Sequence, residues 1–360
     1  MVEPNTATQA GQDFEKSLAN SSTQVASFDT HEKTPLQKLQ HFLHSSPAAV
    51  PLIVLVMSLI VFGLILGGKF FSAFTLTLIL QQVAITGIIG AAQTLVILTA
   101  GIDLSVGAIM VLSSVVMGQF TFRYGLPPSL AILCGFAVGA LCGYINGFLV
   151  ARMKLPPFIV TLGMWQIVLA GNFLYSANET IRAQDIETNA PILQFFGATF
   201  RVGGAVFTYG VIAMVLLVAV LWYVLNRTAW GRHVYAVGDD PDAAELAGVN
   251  VKRMLVAVYV LSGLICALGG WALIGRIGSV SPTAGQFANI ESITAVVIGG
   301  ISLFGGRGSI LGMLFGALIV GVFSLGLRLI GTDPQWTYLL IGMLIIIAVA
   351  IDQWIRKVAG

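Results

Sequence analysis

The chain has 360 residues, of which 57% are hydrophobic and 9% charged, whereas soluble domains carry about 25% charged residues. That excludes a soluble enzyme, and a net charge of +2, from 18 Lys+Arg against 16 Asp+Glu, leaves no basic stripe for nucleic acid. Cys134, Cys142 and Cys266 fall inside apolar stretches, too few and too buried for a disulfide framework or a thiolate metal site.

Residues 1–47 are rich in Ser, Thr, Gln and charge and read as a disordered tail. No basic segment followed by an apolar core opens the chain, so a cleavable signal peptide is not expected and the tail is placed in the cytoplasm. Leu36, Leu39, Phe42 and Leu43 recur at helical spacing, which predicts a short interfacial helix over 35–44. His41 and His44 lie on that helix without a third metal ligand nearby and are read as headgroup-facing.

A membrane domain over 48–355 follows, in an all-α, polytopic fold. A spanning helix needs roughly 20 apolar residues, and about ten spans fit, near 51–68, 73–90, 94–119, 128–150, 157–175, 206–226, 254–275, 288–304, 309–328 and 336–353. Only Gly87, Gly90 and Gln93 suggest a turn between the second and third. Lys and Arg, which concentrate in cytoplasmic loops, cluster at Arg152 and Lys154, at Arg227, Arg232, Lys252 and Arg253, and at Arg356 and Lys357. With ten spans all three groups share one side, both termini are cytoplasmic, and the loop 177–204, with Glu179, Asp185 and Glu187, faces outward.

Several chemistries lack their parts. All four histidines lie outside the spans, so neither a membrane metalloprotease nor a histidine proton relay can be built. Gly63 to Lys69 matches a phosphate-loop spacing, but Phe70 stands where a metal-binding hydroxyl is required. If ATP drives the protein, another subunit binds it. Asp103 is the one carboxylate plainly at membrane depth, with Glu291 at the mouth of span eight and no embedded basic partner for either. An ion-coupled carrier therefore rests thinly on Asp103.

Broken helices are expected near Gly101 and Gly300. Gly101 can end one helix at its C′ position, and Asp103 can cap the next or line a path. Thr94 to Gly107 is echoed by Thr294 to Gly306, each running through aliphatics into Gly-Ile-polar-Leu. Gly139-Ala-Leu-Cys-Gly143 and Gly316-Ala-Leu-Ile-Val-Gly321 follow the two echoes, which suggests a weak internal repeat with close helix approach. In the loop 227–253, Asp240 as N-cap, Pro241 in the first turn, Asp242 at the positive end and Gly248 as terminator predict a helix over 241–247, with Ala and Leu on one side and carboxylates on the other. That shape suits a groove on a partner protein.

Gly101-Ile-Asp-Leu-Ser-Val-Gly107, Gly231-Arg-His-Val-Tyr-Ala-Val-Gly238 with its continuation through Ala243-Ala244 to Gly248-Val-Asn-Val251, and Pro282-Thr-Ala-Gly285 together resemble the permease subunits of bacterial ATP-binding-cassette importers for monosaccharides, in the ribose, xylose and fructose branch with the fructose permeases nearest. The resemblance covers roughly 70–352. It implies a second permease copy, a cytoplasmic ATPase that binds the ATP while this chain carries no cofactor, a periplasmic sugar-binding protein, and a place in the bacterial inner membrane. It also implies ATPase docking by Asp242, Ala243, Ala244 and Gly248, with Asp242 where Glu is usual. An uncharged sugar needs hydroxyl-matching groups rather than fixed charges. Gln93, Thr94, Asp103, Ser105, Asn146, Trp165, Gln166 and Asn172 are the path candidates, although interhelical hydrogen bonding accounts for such residues equally well. Branched-chain amino acid and nucleoside permeases of the same architecture are the rival substrate classes.

Overall fold

A computed structural model describes residues 48–202 and 204–359; the tail and the interfacial helix expected over 35–44 lie outside them. Thirteen α-helices are described: α1 (Ala49–Leu66), α2 (Ala73–Leu98), α3 (Val106–Phe122), α4 (Pro128–Ala151), α5 (Pro157–Ser176), α6 (Ala183–Asn189), α7 (Tyr209–Arg227), α8 (Ala229–Asp239), α9 (Pro241–Leu246), α10 (Val251–Ile277), α11 (Ala288–Ile298), α12 (Ile310–Ile330) and α13 (Pro334–Ala359). Among the described residues seven helices are long and apolar enough to cross a membrane, and the apolar stretches Val106–Phe122, Ala288–Ile298 and Gln335–Ala350 are shorter. The fold is an all-α polytopic membrane domain. Among the described residues the one sheet is a hairpin of β1 (Thr199–Val202) and β2 (Ala205–Thr208), antiparallel with Phe200 opposite Phe207. It belongs to the 177–208 segment, which also holds α6 and a 3-10 turn over Pro191–Gly197.

The helices seat on one another through small residues, as expected where lipid removes the hydrophobic drive for helix association. Gly139 and Gly143 of α4 face α10 so closely that a Cβ on either would lie 2.4 Å from the Gly263 carbonyl oxygen and 2.2 Å from that of Tyr259. Tyr259 itself is among the largest fully buried side chains.

Two boundaries differ from expectation. α2 runs unbroken to Leu98, through Gly87 and Gly90. Those glycines make room instead of a turn, since a Cβ at Gly87 would strike the Met214 sulfur at 2.4 Å and one at Gly90 the Met313 sulfur at 2.8 Å. The break falls at 99–105, so the third apolar helix begins at Val106 rather than 94. Span eight is likewise shorter than expected, because α11 stops at Ile298.

The repeat is real in its first part. α2 and α11 close with the same six-residue backbone loop, the Gly101 N–H donating to the Val96 carbonyl at 3.0 Å and the Ile301 N–H to that of Val296 at 3.2 Å. The left-handed residues are Ala100 (φ 60) and Gly300 (φ 73), so Gly300 corresponds to Ala100 rather than to Gly101. Gly101 is small for another reason: a Cβ there would sit 2.9 Å from both the Tyr259 hydroxyl and Val96. The second echo is not positional, since Gly139 lies on the second helix after its break and Gly316 on the first after its own. Nor is Gly63 to Phe70 a phosphate cradle: Phe70 is fully buried and stacks on Phe62 at 5.8 Å between ring centroids.

Candidate functional site

The first helix break is held from three sides. The Asp103 carboxylate accepts from the Ser105 N–H at 2.8 Å and from its hydroxyl at 2.6 Å, while the Asn146 amide on α4 donates to that same hydroxyl oxygen at 2.9 Å. The Gln93 amide on α2 pairs with both backbone groups of Asp103, donating to its carbonyl at 2.9 Å and accepting from its N–H at 3.3 Å. From α5, Thr161 donates to the Ile102 carbonyl at 2.9 Å and accepts from the Leu104 N–H at 3.1 Å. Gln93, Ser105, Asn146 and Thr161 are fully buried. This clamp gives partners to backbone that a helix would have satisfied internally, a requirement in a membrane. Thr161 was missed from sequence, because one Thr early in an apolar span carries no signal of what it faces. Thr94 stays local, its hydroxyl donating to the Gly90 carbonyl at 2.8 Å.

Trp165 and Asn172 sit elsewhere, on the wall of a cavity of about 260 Å³ between α3, α5 and the loop before α11. Gly107, Gly285, Gln286 and Phe287 complete the part of the wall that matters here, and no lining residue carries a fixed charge. The Asn172 amide N–H donates to the Pro282 carbonyl at 2.8 Å, which leaves its Oδ1 buried and unpaired. An unmet buried acceptor costs about 1–3 kcal/mol, and Asn172 stands beside this cavity with its Oδ1 in that state. Gln166, the next residue after Trp165, is exposed on the surface of α5 and does not line this cavity. The eight path candidates thus divide into a clamp (Gln93, Asp103, Ser105, Asn146), a cavity pair (Trp165, Asn172) and two isolated residues (Thr94, Gln166).

The loop after α7 folds as two helices where sequence indicated one. α8 is capped by Thr228, whose hydroxyl accepts from the Gly231 N–H at 3.2 Å, and buries Val234 and Val237 at helical spacing. That amphipathic repeat was legible. α9 is capped by Asp240, whose Oδ1 accepts from the N–H groups of Asp242 at 2.9 Å and Ala243 at 3.0 Å. It ends one residue earlier than expected, with Gly248 at φ +87 and the Val249 N–H closing on the Ala244 carbonyl at 3.0 Å. The faces differ from the expected split: Ala244 is buried against the domain, whereas Leu246 is 91% exposed beside the exposed Asp242, Ala243 and Glu245.

α8 is wedged against both helix breaks. A Cβ at Gly238 would lie 1.8 Å from the Leu98 carbonyl oxygen and 2.7 Å from the Gly306 nitrogen. The Tyr235 hydroxyl donates to the Gly308 carbonyl at 3.0 Å, and burial pushes its phenol pKa up, which keeps the donor protonated.

Helices of spanning length, paired breaks and a charge-free cavity define a multi-pass membrane transport protein. The chain belongs to the permease family described as "Branched-chain amino acid transport system / permease component", whose profile matches residues 75–349. It is 86% identical over 360 residues, the whole of both chains, to the fructose import permease protein of Rhizobium meliloti. It is 39% identical over 295 residues to the ribose import permease protein of Bacillus subtilis, covering 82% of this chain and 89% of that one. To the galactose/methyl galactoside import permease protein of Escherichia coli it is 35% identical, over 79% and 88% respectively. No solved structure matches it. Its place is therefore that of a transport component, not an enzyme.

Proposed function

We propose that this chain is the membrane-spanning permease of an ATP-binding-cassette importer and passes an uncharged monosaccharide, fructose in the first place, through the cavity of Trp165 and Asn172. The observation that carries the reading is that cavity's wall: Trp165, Asn172 and Gln286, with no fixed charge. A zwitterionic amino acid needs charged or helix-end partners for two groups, whereas a sugar needs hydrogen-bond partners and an apolar ring face. The identity to a fructose permease supports the choice of hexose.

On this reading residues 1–47 are a cytoplasmic tail and 48–355 the permease domain, in the inner membrane with both termini inside. Asp242, Ala243, Ala244 and Gly248 form the ATPase-coupling helix and its end, and α8 carries motion from it to the breaks. The 177–204 segment receives a periplasmic sugar-binding protein, and a second permease copy completes the assembly. Gln93, Asp103, Ser105 and Asn146 hold the broken helix in shape; Trp165 and Asn172 touch sugar.

The test is reconstitution of the chain with its ATPase and binding protein in proteoliposomes. Fructose uptake that needs ATP and both partners is expected. Uptake by the chain alone, driven by a proton or sodium gradient, overturns the reading in favour of an ion-coupled carrier. Preferential uptake of a branched-chain amino acid or a nucleoside overturns the substrate class.

A further inference from the structure

A second cavity, of about 480 Å³, lies between α2, α11, α12 and α13. Glu291, Arg328, Gln82 and Ser324 are among its lining residues, together with Phe287 and Tyr338. Sequence left Glu291 without a basic partner; the fold brings Arg276 within its electrostatic reach and Arg328 into the same cavity. Glu291 meets α2 midway along its length, where Thr86 donates to its Oε2 at 3.2 Å. Arg276 directs its guanidinium to the Gln82 carbonyl oxygen at 3.4 Å and to the Gln82 side-chain oxygen. Thr86 fills only Oε2, so the Glu291 carboxylate keeps acceptor capacity at its other oxygen, and an ionisable side chain in a spanning region is costly enough to point to a function.

We propose that this cavity is a saccharide-binding chamber adjoining the Trp165 cavity, with Glu291 accepting from sugar hydroxyls and Arg328 and Ser324 donating to them. This rests on the sugar-permease reading. A polyol both donates and accepts, so it satisfies a carboxylate and a guanidinium together and brings no net charge into the membrane. An anion leaves Glu291 opposed and a cation leaves Arg328 opposed; a zwitterion is the other neutral solute that could pair with both, and leucine is therefore the competing probe in the experiment. A carboxylate hydrogen bond is charge-assisted and about twice as strong as a neutral one, while aromatic rings cover the C–H face of a pyranose or furanose. Phe287 walls both cavities. A sugar leaving one chamber for the other passes that ring, which makes Phe287 the partition between them.

The experiment uses the assembled complex of permease, ATPase and binding protein, carrying Ser324→Cys or Thr337→Cys, treated with a small maleimide without nucleotide. Fructose is expected to slow modification of both cysteines several-fold, with leucine at the same concentration having no effect; protection by leucine and not by fructose overturns the saccharide assignment. Glu291→Gln added to either variant is expected to remove that protection and, in the otherwise unaltered chain, to lower uptake about tenfold. Cysteines that never react, that react equally with and without fructose, or that stay protected when Glu291 is changed overturn the chamber. When the unaltered complex meanwhile takes up fructose with ATP, such a result leaves the permease reading standing. Should Glu291→Gln instead abolish a proton-gradient dependence of uptake, Glu291 is an ion-coupling residue and the chamber assignment fails.

Discussion

The Gly306 N–H donates to the Leu98 carbonyl at 3.0 Å, joining the end of α2 to the loop between α11 and α12. The backbone of Gly238 lies against the same carbonyl, so α8 touches a hydrogen bond that ties one break to the other. A push on the loop after α7 reaches both breaks at a single point.

Gly238→Ala places a methyl carbon 1.8 Å from the Leu98 oxygen, and the atoms it meets are backbone that cannot rotate away. The variant is expected to insert and bind its ATPase yet lose most uptake, measured as ATP hydrolysed per sugar moved. Tyr235→Phe removes only the bond to Gly308, worth about 1 kcal/mol, and is expected to lower uptake a few-fold.

Asp103→Asn keeps an oxygen that accepts from the Ser105 N–H and hydroxyl, whereas Asp103→Leu leaves both of those Ser105 donors without an acceptor in the membrane. Asn is expected to retain much of the uptake and Leu to lose membrane assembly, checked by detergent-extracted yield and by transport. A normally assembled but inactive Asp103→Asn assigns the charge a role in the path.

At the coupling helix the two informative positions act differently. Gly248→Val forces a β-branched residue to φ +87, a strain of roughly 1–2 kcal/mol, and is expected to loosen α9. Leu246→Arg changes only an exposed side chain. It is expected to reduce ATPase co-purification more than tenfold at unchanged permease level in the membrane.

Much of this was legible beforehand, and the failures have specific physical causes. The caps of α9 and its glycine terminator are local backbone chemistry, which adjacent residues specify. Span ends were misjudged at Gly87 and Gly90 because a glycine that admits a neighbouring Met reads the same as one that turns the chain. The clamp and the cavity were merged into one group of path candidates, since whether Asn146 meets Ser105 and Asn172 meets a void depends on which helices become neighbours. Glu291 looked unpartnered because Arg276 and Arg328 come from other helices.

Thr180→Cys tests the orientation. Thr180 is exposed, next to the isolated bridge of Ile181 to Val280. In intact spheroplasts it is expected to react with an impermeant thiol reagent, and reversing Glu187 is expected to slow binding-protein-dependent uptake more at low salt than at 0.15 M, where screening acts within about 8 Å. Labelling only after membrane rupture inverts the topology.

Asn172→Leu removes both the bond to Pro282 and the unpaired oxygen, while Trp165→Ala removes the ring and leaves the amide. Both are expected to cut uptake at saturating binding protein with ATPase binding intact. Equal uptake of fructose and ribose by Trp165→Ala, against a preference in the unaltered chain, would assign the indole a share in selectivity.

The Leu98–Gly306 bond also orders the making of the protein. Leu98 emerges from the ribosome roughly 200 residues before its partner, on the order of 10–40 s at about 5–20 residues per second. During that interval the end of α2 lacks the N–H that caps its Leu98 carbonyl in the finished fold, and another donor, such as water, must stand in for it. The early helices are therefore held in a provisional state until the late ones arrive, which makes the C-terminal half a finishing element for the N-terminal half.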